Sequence, residues 1–232
     1  PPLVDGRGSG DGARQARGDL LVRYHEVVYR YFLARTRDQH VAEELYSNFA
    51  LRLIESDQLI RRADPARGHF RNYLKKALYH MVIDHIRQQA DRPLPLGSNC
   101  EPEARVEEDA DAEFVSIWRQ ELLNQAWRAL EESDRRSGQA HYTVLRLQSD
   151  HPGLRAADLA VRLSGQLGRP CSADALRQAL RRARDRFARL LLDEVARSLG
   201  DAAPADLERE LADLRLLSFC RRALPQGCKT PS

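Results

Sequence analysis

Apolar residues recur at helical spacing along most of the chain, and no stretch shows the period-two alternation of a half-buried strand. From Asp19 onward, Leu20, Leu21, Tyr24, Val27, Val28, Tyr31 and Phe32 fall on one stripe of a helix. A second helix is predicted over about 40–56, with Val41, Leu45, Phe49 and Leu53 four apart. Residues 57–69 contain Asp64-Pro65 and Gly68 and read as a structured connection. The third helix carries Phe70, Tyr73, Leu74, Ala77, Leu78, Met81, Val82 and Ile86, and should stop near Gln89, ahead of Pro93 and Pro95. Residues 93–113 are rich in Pro, Gly and acids and read as a linker. Helical patterns then return over 114–133, 139–149, 154–167 and 172–199, followed by an amphipathic piece over 205–219 with Leu207, Leu211, Leu214 and Leu217. The expected fold is all-α. It comprises a flexible leader (1–18), a helical module (19–92), an acidic linker (93–113), a second helical module (114–200) and a C-terminal helix with a loose tail (201–232).

Composition narrows the function classes. No apolar run approaches the ~18 residues needed to span a membrane, so no membrane insertion is expected. Residues 1–18 lack the apolar core of a secretory signal. The four cysteines, Cys100, Cys171, Cys220 and Cys228, form no CxxC pair, which argues against a zinc knuckle or a disulfide scaffold and fits a reducing, cytoplasmic compartment. The formal net charge of +3 conceals an uneven distribution. Eight basic residues face three acids over 61–92, and six arginines face Asp185 over 175–189, each a local net of +5. Over 100–113, seven acids face Arg105 alone. Two cationic stretches on either side of an anionic one suit two surfaces that engage a polyanion, although arginines on helices also serve as solvated faces.

In the second module, two helices flank Gly168-Arg169-Pro170-Cys171. Gly168 can take the left-handed conformation that stops the first helix. Ser172 is placed to cap the second, with Asp174 near its positive end. Ala157 and Ala160 would permit close approach to Leu176 and Leu180. This is the pattern of a helix-turn-helix, whose second helix lies in the major groove of DNA. Leu176, Leu180, Ala183, Phe187 and Leu190/Leu191 would face inward. Ser172, Arg177, Gln178, Arg181, Arg182 and Arg184 would face the duplex, where Arg can bond guanine, Gln can bond adenine, and the remaining cations neutralise phosphate. An ordinary helical hairpin with solvated arginines has the same pattern.

The first module interleaves cations and rings, from Asp64-Pro65-Ala66-Arg67-Gly68-His69-Phe70-Arg71 through Tyr73-Leu74-Lys75-Lys76 to Tyr79-His80 and Asp84-His85-Ile86-Arg87. That mixture suits single-stranded nucleic acid, cations following the backbone and rings or a pocket holding unstacked bases. Phe70 and Leu74 are expected in the core, and since Tyr73 and Tyr79 cannot both occupy the apolar stripe, at least one of these rings is left for a ligand.

At these residues the chain resembles the extracytoplasmic-function (ECF) sigma factors of bacterial RNA polymerase. Ala42-Glu43-Glu44-Leu45 stands for the family's acidic element, Phe70 and Tyr73-Leu74 for its aromatic pair, and Asp84-x-x-Arg87 closes region two. Residues 118–192 match region four. The Asp64-Pro65-x-Arg67-Gly68-x-Phe70-Arg71 phrase and the arm beyond Leu199 look most like the kinase-associated subgroups.

The resemblance implies a sigma region two bundle followed by a region four helix-turn-helix, binding core RNA polymerase and promoter DNA, with an anti-sigma factor or a Ser/Thr kinase as candidate regulators. It further implies that Glu43, Glu44, Ser47, Asn48 and Arg52 dock on the polymerase. Arg61, Arg62, Arg67, His69, Arg71, Lys75, Lys76, Tyr79, His80 and Arg87 would open and hold the −10 element, the second module would read the −35 element, and the acidic linker would thread a cationic channel.

Two departures stand out: His80 replaces the usual Asn, and Ser47-Asn48 replaces Gln-Glu. A phosphate on Ser47 would return negative charge to that face. No cofactor, metal or catalysis is expected. His80 and His85 are five apart where a zinc helix needs i, i+4, and no Gly-rich phosphate loop or nucleophile elbow occurs. Alternatives from other classes are a helix-turn-helix regulator that acts without polymerase, pairing through 205–219, and a helical adaptor or anti-factor.

Overall fold

The structure is a computed structural model that describes residues 8–55, 70–90, 103–199 and 203–224. Every described element is an α-helix, which makes the fold all-α. The chain divides into two compact units, Pro1–Glu121 and Leu122–Ser232. No described helix is long and apolar enough to cross a membrane.

In the first unit, α1 (Gly8–Thr36) and α2 (Gln39–Glu55) form a tight hairpin. Helix α1 begins inside the stretch expected to be a loose leader. Tyr24, Val27, Val28, Tyr31 and Phe32 are buried, following the predicted stripe. The helix stops at Arg37, which takes a left-handed φ of 54° and donates its N–H to the Leu33 carbonyl at 2.8 Å. Asp38 then caps α2, its Oδ1 accepting from the N–H groups of His40 (2.8 Å) and Val41 (3.2 Å). Ala42, Leu45, Phe49 and Leu53 are buried, and Val41 of the predicted stripe gives way to Ala42. Helix α3 (Phe70–Ala90) buries Leu74, Leu78, Met81 and Val82, whereas Ile86, expected in the core, is 52% exposed.

Helix α4 (Glu103–Ser137) corrects the sequence reading most. The last eleven residues of the expected linker are its first three turns. Ala110, Phe114 and Trp118 lie four apart, which carries an apolar helical stripe back into the acidic region, and all three are buried. Phe114 and Trp118, expected in the second module, pack in the first. The Trp118 ring stacks on Tyr24 with centroids 4.9 Å apart, and Phe114 meets Tyr31 edge-on at 5.6 Å. Phe70 reaches the same cluster, 5.2 Å from Tyr24.

The second unit begins with the rest of α4, where Leu122, Ala126 and Leu130 are buried. Gly138, at φ 67°, ends the helix. Asp134 caps α5 (His141–Asp150) from a distance, accepting from the Tyr142 N–H at 2.6 Å. Helices α6 (Ala156–Leu167) and α7 (Ala173–Leu199) follow. The piece expected as one helix over 205–219 is two: α8 (Pro204–Asp213) and α9 (Leu217–Cys220). Arg215 sits between them at φ 57°. The Leu216 N–H donates to the Leu211 carbonyl (2.8 Å) and the Arg215 N–H to the Ala212 carbonyl (2.9 Å), the paired bonds of a Schellman turn. Leu211, Leu214, Leu216, Cys220 and Leu224 are all buried, so this arm belongs to the core of the unit. The tail expected to be loose past Arg222 is packed as far as Leu224.

Candidate nucleic-acid interface

Two cationic helix faces and one acidic-polar face hold the expected contact residues. Each exists because the opposite face of its helix is anchored by apolar residues, which leaves its charges no place but solvent.

On α3, Lys76, His80 and Arg87 are exposed and share one stripe, spaced four and seven apart. Tyr79 is half-buried, its ring edge-on to His80 at 5.9 Å. The other two described candidates from the −10 set lie elsewhere. Arg71 is buried and engaged within the fold. Lys75 is largely buried at the helix flank, its Nζ donating to Asp111 Oδ2 of α4 at 2.5 Å. Both sit on the side of α3 that faces protein, because their spacing from Leu74, Leu78 and Val82 turns them inward. Asp111, expected in the anionic linker, is therefore an internal counter-charge to the first cationic stretch. Arg35 and Glu113 form a looser second pair at 3.7 Å. Arg61, Arg62, Arg67 and His69 lie outside the described residues.

On α2, Glu43, Glu44, Ser47, Asn48 and Arg52 are all exposed along one face. Gln39 Nε2 donates to Glu43 Oε1 at 2.8 Å, and the Ser47 hydroxyl donates to the Glu43 carbonyl at 2.8 Å. Leu51 stands on the same face, 55% exposed, and was not singled out from sequence. Its signal was an apolar residue four beyond Ser47, inside an otherwise polar stripe.

In the second unit the turn is built as predicted at both ends. Gly168 is left-handed at φ 62°, and Ser172 Oγ accepts from the Ala175 N–H at 3.1 Å. Ser164 Oγ closes the turn by accepting from the Cys171 N–H at 2.9 Å. Ala160 is buried as expected, whereas Ala157 is exposed and takes no part in the close approach. Leu176, Leu180, Ala183, Phe187, Leu190 and Leu191 line the core side of α7. Gln178, Arg181, Arg182 and Arg184 are exposed, and Arg177 is exposed in an ion pair with Asp174. The candidate residues on α7 thus share one solvent-facing side of the helix.

Two buried groups matter to stability rather than to contact. Burial pushes the Tyr31 phenol up to about 12, and its hydroxyl finds no hydrogen-bond partner among the described residues. Burial likewise raises the Cys220 thiol to about 11.

Residues 20–92 match the family model for Sigma-70 region 2, a segment that takes in most of α1, all of α2 and α3, and both exposed faces of the first unit. The match covers about a third of the chain, and it supports a sigma-70 family sigma factor with a role in RNA polymerase binding and promoter melting. No curated protein and no solved structure matches the chain.

Proposed function

We propose that the protein is an ECF-type sigma factor, close to the kinase-associated subgroup. In this reading it mounts on core RNA polymerase, reads the −35 element with α7 and opens the −10 element with the α3 face. The observation that carries the reading is the coincidence of the Sigma-70 region 2 match with an α3 that exposes Lys76, His80 and Arg87 beside the ring of Tyr79.

The chemistry required is binding alone. Strand opening follows when the unstacked strand binds more tightly than the duplex, and extruding one base costs only a few kcal/mol. Cations at 76 and 87 would follow the backbone, while His80 and Tyr79 supply a donor and a ring for an unpaired base. On α2, Glu43, Glu44, Asn48 and Arg52, with Leu51 as an apolar contact, would meet the polymerase. Ser47 is exposed where a kinase could reach it, and phosphorylation there would add negative charge to the docking face. The second unit would supply duplex affinity through Arg181, Arg182 and Arg184, with Gln178 and Arg177 at base edges. The protein would act in the cytoplasm, with an anti-sigma factor as a further candidate partner.

The test is reconstitution with purified bacterial core polymerase. Co-elution with core and run-off transcription from a cognate promoter are the expected results. Duplex binding that ignores polymerase, with no transcript, would identify a free helix-turn-helix regulator instead.

A further inference from the structure

The C-terminal arm meets α7 at the end of the helix that carries the proposed duplex contacts. Between α7 and the arm lies a cleft lined by Arg181, Arg184, Arg189 and Arg222, with Phe219 and Asp185. Four arginines and a single aspartate from two elements thus line one cleft. The arm is held firmly there. Cys220 is fully buried between turns, Leu216 and Leu224 are buried to either side, and the Phe219 ring meets Phe187 edge-on at 5.8 Å. Arg189 donates Nε–H to the Asp185 carbonyl at 3.2 Å, which fixes its guanidinium beside the cleft. Arg221 and Arg222 are exposed in the turn that follows α9, between the buried Cys220 and Leu224.

A concentration of positive charge on well-packed backbone is an unfavourable arrangement unless an anion relieves it. The cleft is continuous with the face of α7 that carries Arg181 and Arg184, so an anion seated in it lies alongside whatever that face binds. Guanidinium forks match phosphate oxygens, and a duplex backbone offers them at regular spacing.

We propose that the C-terminal arm is a second duplex-binding element, in which Arg222 joins Arg184 and Arg189 to grip the phosphate backbone beside the bases that α7 reads. The arm is then an extension of the DNA surface rather than a cover over it. This rests on the reading of α7 as the duplex-facing helix, and the test separates the two.

The full-length protein is titrated against a fluorescently labelled random-sequence DNA duplex, with anisotropy followed from low to moderate KCl. Arg222→Ala is compared with Arg182→Ala, an exposed α7 residue outside the cleft. The expected result is that each variant weakens binding about fivefold at low salt, and that each lowers the slope of log K against log salt by about 0.9, the value for one lost phosphate contact. Arg222→Lys should keep most of the affinity, and Arg222→Glu should lose more than Arg222→Ala. If Arg182→Ala weakens binding while Arg222→Ala leaves affinity and slope unchanged, the arm is not a DNA element and this proposal fails alone. Tighter binding by Arg222→Ala would make the arm an obstruction and overturn it outright. If neither variant changes affinity, α7 does not face DNA, and both readings fall.

Discussion

Trp118 is the sharpest test of how the chain is partitioned. It is 1% exposed, stacked on Tyr24 and close to Phe70 and Phe114, all in the first unit, although the sequence pattern assigns it to the second. Replacing a buried Trp by Ala removes the ring's transfer free energy and leaves a cavity, together worth about 3–5 kcal/mol. With a urea m-value of about 2 kcal/mol/M, the unfolding midpoint of the first unit should fall by roughly 2 M. Trp118→Phe is the discriminating partner. The indole N–H is buried and has no hydrogen-bond partner among the described residues, so Phe loses no bond and keeps most of the stacking. Its cost should stay within about 1 kcal/mol. The chain has two tryptophans, so in Trp118→Ala the remaining emitter is Trp127, which packs on Phe187 and Tyr142 in the second unit. Urea unfolding followed by far-ultraviolet circular dichroism should show an early helical loss, while Trp127 fluorescence keeps a later midpoint. A Trp127 midpoint that moves down as far as the helical signal would refute the assignment of Trp118 to the first unit. So would a Trp118→Phe variant as unstable as Trp118→Ala.

Three further outcomes are expected. Both raised acids hold their protons more tightly when folded than unfolded, so the stability these two groups contribute is full below about pH 9 and declines as pH rises. Cys220 contributes the loss between its unfolded value of 9.0 and about 11, and Tyr31 the loss between 10.0 and about 12. Urea midpoints measured from pH 7 to 11 check this, and Tyr31→Phe should flatten the part above pH 10. Arg215→Gly should raise thermal stability by about 0.5–1 kcal/mol, because a left-handed φ strains every residue with a Cβ; an unchanged or lower melting temperature counts against the turn. In promoter assays with core polymerase, His80→Ala should reduce open-complex formation, read by permanganate footprinting, more than initial duplex binding. Equal loss at both steps would exclude the proposed strand contact.

The helices of both units were legible because apolar spacing carries the signal directly. The Tyr24 to Phe32 stripe, the Leu74 to Val82 stripe and the Gly168–Ser172 turn all stand where residue pattern alone puts them. What escaped detection has two physical causes. Arg37 and Arg215 take left-handed conformations without glycine, so no punctuation marks the end of α1 or the break between α8 and α9; the bonds that hold Arg215 come from its neighbours' backbone. The acidic stretch looked like a tether because charge dominated its composition. Yet three apolar residues four apart outweigh seven acids when a partner face is at hand. The same event turned Lys75 from a presumed nucleic-acid contact into half of an ion pair. Arg71 lies inward because helix phase, which the charge of a stretch does not reveal, decides which cations reach solvent.

That ion pair bears on how salt would govern any encounter with a promoter. The ionic atmosphere whose dispersal makes nucleic-acid affinity fall with added electrolyte surrounds the nucleic acid, and a lysine held by its own carboxylate displaces none of it. While it stays paired, Lys75 therefore adds nothing to that salt dependence, and the chain should tolerate rising ionic strength better than its tally of cations suggests. Asp111→Asn would restore the missing sensitivity.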